Sequence, residues 1–243
     1  YAFVNGKSQA VYENLLRAVL DKCEELGFSP DPVTVLTDFE QAVLNAISTT
    51  LGPHVSSRGC FYHLTQSTWR KVQDLRLVDL YRSDDQVRHF CGMLDGLAFL
   101  PEDKVSSGME YLVDNTPEGL EGLVDYFNST YVSGSFRRIR PPVQPDGEVL
   151  PMRVRRIPPL YPPQLWYVFD PTIQDGPRTN NLCESWNFGF RSLVGHDHPT
   201  VWKAIENIRK DQALVHTQLL QDSRGEPPRK RVKKKQPKIN SSA

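Results

Sequence analysis

The stretch TVLTDFEQAVLNAI, residues 34–47, changes its hydrophobic period in the middle. Up to Thr37 it is β-branched and apolar, which predicts a short strand over 33–37, bounded in front by SPDP. From Phe39 the apolar side chains recur at helical spacing, through Val43, Ile47 and Leu51, and stop at Gly52 and Pro53. Asp38 stands at the joint. With Gln41 three residues on, it has the spacing of a capping box, and a carboxylate there is equally open to a metal ion. Upstream, residues 8–26 place Val11, Leu15, Val19, Cys23 and Leu26 on one helical face, with Ser8 as N-cap and Gly27 just past the end. The apolar YAFV before Asn5 and Gly6 reads as a strand. Strand, helix, strand, helix is the grammar of an α/β fold.

At 243 residues the chain is long enough for one good core or two small ones. No apolar run approaches a membrane span, and the first residues lack a signal-peptide pattern, so the chain reads as soluble and intracellular, with no membrane partner. Cys23, Cys60, Cys91 and Cys183 show no paired spacing, which argues for reduced thiols. The first residue is not Met and the first segment is already an apolar strand, so the chain is expected to be truncated at its N-terminus. A net charge of zero conceals an asymmetry: residues 1–131 carry 10 basic and 19 acidic side chains, whereas residues 224–243 carry 8 and 1. Affinity for nucleic acid is therefore expected from the later part of the chain.

Beyond VSSRGCFYHL the pattern is helical near 62–76, 84–98, 103–114 and 118–130. Residues 132–180 hold ten of the nineteen prolines and an imperfect echo, RRIRPPV at 137 and RRIPPL at 155, and are expected to be largely irregular. Helical periodicity returns at 182–193 and 200–220, with Trp186 and Trp202 at positions that read as core. Past Gly225 the composition, EPPRKRVKKKQPKINSSA, is that of a disordered basic tail.

Three strings taken in order, LTDFEQAV at 36, GCFYHL at 59 and TNNLCESWN at 179, resemble the transposase domain of Mutator-like elements, a branch of the DDE/D transposases. The resemblance covers roughly residues 1–215. It implies an incomplete RNase H-like fold, a short mixed sheet with flanking helices, interrupted by a mostly α-helical insertion. It implies Asp38 and Glu184 as the second and third acidic residues of the family's catalytic set, Cys60 and His63 as its C-x-x-H motif, and Asn180 and Asn181 as the context of the glutamate. In such a family the carboxylates hold Mg²⁺ or Mn²⁺ ions that stabilise the entering and leaving oxygens of a phosphodiester. The first acidic residue of that set belongs upstream of a strand matching YAFVNGK. These residues by themselves are therefore expected to be catalytically incomplete, with a missing segment or a homo-oligomer as the partner that would supply it. Asp31, seven residues from Asp38 along an extended run, is about 23 Å away and is no substitute.

The division read from the sequence is an α/β part at 1–76, a helical insertion at 77–131, a Pro/Arg-rich segment at 132–180, completing helices at 181–222 and the tail at 223–243. Cys60 and His63 could be joined by His196 and His198 in a zinc tetrahedron, or they could be a buried thiol and a structural histidine, with His196 and His198 as surface residues before the helix that starts near Pro199. Arg229, Lys230, Arg231, Lys233, Lys234 and Lys235 read as a nuclear-import or nucleic-acid segment, which makes the chain nuclear and DNA its expected partner. The doublets Arg137, Arg138 and Arg155, Arg156, near Tyr161, Trp166 and Tyr167, are candidates for phosphate and base contacts, against the reading of a flexible insertion. No Ser-His-Asp triad, phosphate-binding loop or dinucleotide loop is present. Two functions stand: a transposase-derived domain related to DNA transposition, or a nuclear DNA- or protein-binding protein that keeps the fold without catalysis.

Overall fold

A computed structural model describes residues 2–139 and 153–225. The chain divides after Asn180 into two units. The first begins with helix α1 (Gln9–Glu25), whose N-cap Ser8 accepts a hydrogen bond from the Val11 amide. It ends on Gly27 at φ 78°, where the Phe28 amide reaches back to the Cys23 carbonyl. The expected YAFV strand is not formed over its described residues: 2–4 carry no strand pairing, with Phe3 and Val4 exposed, because no described strand offers its backbone to them.

Strand β1 (Thr34–Thr37) pairs in parallel with β2 (Ser56–Gly59), and α2 (Gln41–Leu51) makes the crossover between them. The expected α/β start is therefore present, as a sheet of two strands. Helices α3 (Phe61–Asp74), α4 (Val78–Ser83), α5 (Asp85–Gly96), α6 (Glu102–Asp114) and α7 (Glu121–Phe127) follow. The main core lies among these helices, with Leu64, Phe90, Leu94, Met109, Leu123 and Phe127 at its centre.

Residues 132–139 and 153–180 are more ordered than the prolines imply. The Arg-Arg-Ile echo is a hairpin: β3 (Ser135–Ile139) pairs antiparallel with β4 (Arg153–Ile157), and Arg137 faces Arg155 across the ladder. Two short helices follow, α8 (Pro163–Trp166) and α9 (Phe169–Ile173). Trp166 is fully buried, and its Nε1–H donates to the carbonyls of Tyr131 (3.1 Å) and Tyr161 (3.0 Å), so it is part of the core and not a stacking surface.

The second unit contains α10 (Asn181–Val194) and α11 (Val201–Ser223), the latter capped by Thr200. Here the expectation that two tryptophans are buried fails: Trp202 is 82% exposed, and Trp186 is half-exposed, stacked on Phe190 with its Nε1–H donating to Asp211. No described helix is long and apolar enough to cross a membrane.

Candidate functional site

Two parallel strands release their chains at the same edge, and that edge is where open α/β sheets bind ligands. Asp38 follows the last residue of β1 and Cys60 the last residue of β2, with the Cys60 amide donating to the Thr37 carbonyl at 2.8 Å. The sheet therefore sets the two residues side by side although 22 positions separate them in sequence.

Asp38 does not cap α2. The N-cap residue is Glu40, with no side-chain capping bond, and Gln41 turns its amide to Asn45. The Asp38 carboxylate faces the other way: Asn180 Nδ2–H donates to its Oδ1 at 3.1 Å, and His63 Nδ1 lies 3.0 Å from the same oxygen. The imidazole contact is close enough for an ion pair but off the line of a hydrogen bond, which leaves buried Nδ1 without one. The Asp38 side chain stays 54% exposed, so the carboxylate is held yet accessible.

Asn180 joins Asp38 to Cys60. Its Oδ1 accepts from the Cys60 thiol at 3.1 Å while its own amide N–H points to the sulfur at 3.5 Å. Two residues earlier, the Arg178 carbonyl accepts from the Phe61 amide at the start of α3. Cys60, fully buried, is thus the N-cap residue of α3 with its thiol committed to Asn180, and His63 comes one turn later on the face towards Asp38. Asn180 is expected only as the neighbour of Glu184 in the resemblance; its bonds to Asp38 and Cys60, 142 and 120 residues away, have no local sequence signal.

Beneath this edge, Phe39 packs edge-on against Tyr131 and Tyr161, and its carbonyl accepts from the Tyr161 hydroxyl at 2.8 Å. Gly59 makes room for it, since a Cβ there would lie 2.5 Å from the Phe39 ring. Sequence reasoning also missed a cleft of about 340 Å³ lined by Thr34, Leu36, Arg58, Tyr167, Gln174 and Arg178. In it the Arg58 guanidinium lies 4.5 Å over the Tyr167 ring and donates to its hydroxyl, which in turn donates to Asp170.

The other expected residues fall elsewhere. Glu184 is exposed in the first turn of α10, in the second unit. His196 and His198 are exposed between α10 and α11, with His198 at φ 56°. Among the described residues no group of three or more His, Cys, Asp or Glu side chains is arranged to hold a metal ion. Arg137, Arg138, Arg155 and Arg156 are exposed on the hairpin. Arg229 to Lys235 lie outside the described residues.

Residues 1–67 match the family model of the MULE transposase domain, which bears out the resemblance over that part of the chain. Neither the curated proteins nor the solved structures contain a match.

Proposed function

We propose, from this MULE transposase domain, that the chain derives from a Mutator-like transposase and handles DNA, on a fold of RNase H-like ancestry, with Asp38 and Glu184 as divalent-metal carboxylates. The observation that carries the reading is the environment of Asp38. A carboxylate whose task was to start α2 would accept from that helix's amides; this one points to Asn180 and His63 at the carboxyl edge of the parallel strands.

Each carboxylate by itself suits a hard cation, because Asp38 and Glu184 are both on accessible side chains. Bound Mg²⁺ or Mn²⁺ would stabilise the entering and leaving oxygens of a phosphodiester. Asn180 and His63 act as positioning residues that restrict the Asp38 side chain, and Cys60, bonded to Asn180, steadies that arm in place of binding zinc. By the family pattern Asp38 and Glu184 correspond to the second and third acidic residues, whose role is to hold the divalent metal against DNA. The basic tail directs the chain to the nucleus.

The test is a Mn²⁺ titration of the purified chain, followed by thermal shift and by paramagnetic broadening of the histidine ring signals. Wild type should be stabilised with selective broadening of one histidine, His63, and Asp38→Asn should lose both effects. Identical responses in the two proteins would remove Asp38 as a ligand.

A second reading, a nuclear DNA- or protein-binding protein without catalysis, draws on the fact that Asp38 Oδ1 is already engaged from two sides. Salt-sensitive DNA binding that survives both Asp38→Ala and Glu184→Ala would favour it.

A further inference from the structure

The β3–β4 hairpin places like charges where a free-standing sheet would avoid them. Arg137 is directly opposite Arg155, and such pairs are destabilising in antiparallel sheets. On the alternate face, Arg138 and Arg156 accompany Phe136, 73% exposed, and Val154, 61% exposed. Residues 132–139 and 153–161 contain no Asp or Glu, and none of the ion pairs among the described residues engages these four arginines.

The base of the ribbon, by contrast, is tied to the core. Gly134 turns at φ 78° directly against the Ile157 carbonyl. Arg156 donates to the Ser133 carbonyl, and Tyr161 N–H donates to Thr130. Tyr131 and Val132, immediately before the ribbon, are buried. An anchored ribbon with cations on both faces and no acidic partner among its described residues is built to meet a polyanion from two sides.

We propose that this hairpin enters the major groove of duplex DNA edge-on, with Arg137 and Arg155 directed to one phosphate wall and Arg138 and Arg156 to the other. The dimensions agree: a ribbon with side chains on both faces is about 10 Å thick, and the major groove of B-DNA is about 12 Å wide. Contacts of this kind position a protein without reading sequence. They also relieve the Arg137–Arg155 repulsion, because each guanidinium gains a phosphate. Phe136 lies on the Arg138 face and packs against the sugar edge.

The inference deepens the reading of the chain as a DNA-handling protein and rests on it. It is tested by fluorescence anisotropy with the full chain and a 20-base-pair duplex of arbitrary sequence, over a series of salt concentrations. Each lost phosphate contact lowers the slope of log K against log salt by about 0.9. Arg137→Ala/Arg155→Ala and Arg138→Ala/Arg156→Ala should therefore each flatten the slope by about 1.8, and the four together by about 3.6, while Arg→Lys at all four keeps it. The thermal melt of Arg137→Ala/Arg155→Ala should be unchanged or higher, since that pair's repulsion has been removed. Double-stranded RNA, whose major groove is deep and narrow, should bind more weakly than DNA. An unchanged slope in either double variant, equal affinity for duplex RNA, or tighter binding to single strands that depends on Phe136 would each overturn the ribbon. Wild-type chain that fails to bind duplex would overturn both this inference and the DNA-handling reading; wild-type binding with variants unaltered overturns the ribbon alone.

Discussion

Asp38 and Asn180 show how much a single contact can settle. The Asp38–Gln41 spacing fits a cap, but Asn180 competes for the carboxylate with a fixed amide donor and wins, because α2 already starts at Glu40. Asn180→Ala should lose the bonds to both Asp38 and Cys60, lowering stability by about 1–3 kcal/mol in urea unfolding and speeding native-state alkylation of Cys60. A change in neither would remove Asn180 as the link. Asp95 offers a test of different sign. Burial pushes its carboxyl up to about 6, against the opposing hydrogen bond donated by Thr68 at 2.8 Å. Between roughly pH 4 and 6 the folded chain then holds a proton that the unfolded chain has released, so stability falls as pH rises through that window and levels off above it. Asp95→Asn keeps an acceptor for Thr68 and removes the charge. It should raise stability by up to about 3 kcal/mol at pH 7.5 and change nothing at pH 3, a difference that urea unfolding at the two pH values measures.

At the level of elements, short strands and long helices divide the work. The β1–β2 pair is only four residues per strand, yet its parallel register is what brings Asp38 and Cys60 together. The hairpin depends on a different device. Gly134 has positive φ, and a Cβ there would come within 2.1 Å of the Ile157 carbonyl. Gly134→Ala must therefore displace β4 at a cost of about 1–3 kcal/mol. Amides of residues 135–139 should exchange faster with deuterium in that variant, and its DNA-binding salt slope should fall towards that of the four-arginine variant. Protection equal to wild type would show that the turn tolerates a side chain. The RRI echo was visible in the sequence, but neither copy alternates apolar with polar residues, so pairing had no period-two signal to announce it.

Across the whole molecule, charge and core are distributed unevenly. Nine more acids than bases lie in residues 1–131, and seven more bases than acids in 224–243. A polyanion is therefore repelled by one part of the chain and drawn to another, and steering should weaken with added salt. Replacing Arg229, Lys230, Arg231, Lys233, Lys234 and Lys235 by Gln in a fluorescent fusion should shift the chain from nucleus to cytoplasm; nuclear accumulation of that variant would show that import resides elsewhere. Stability, by contrast, comes from the helical core around Leu94, Phe127, Tyr131 and Trp166, which meets the sheet edge through Phe39 and not through the exposed Asp38 side chain. Changes at the candidate site can thus be made with the main core intact.

Periodicity alone determined α1, β1, α2 and the positions of most later helices, because the 2.0 and 3.6 repeats are local properties of the chain; it also read YAFV as a strand, which the fold does not form, and left β2 unannounced. The ordered motifs also sufficed to indicate a Mutator-like transposase domain, and the family match supports this over residues 1–67. Only the tertiary structure decided that Asp38 turns from α2 to Asn180, that Gly59 exists to admit the Phe39 ring, and that two arginine doublets face each other in one ribbon. Each of those facts joins residues far apart in sequence. Nothing in the spacing of neighbours encodes a contact whose free energy comes from the folded surface that presents the partner.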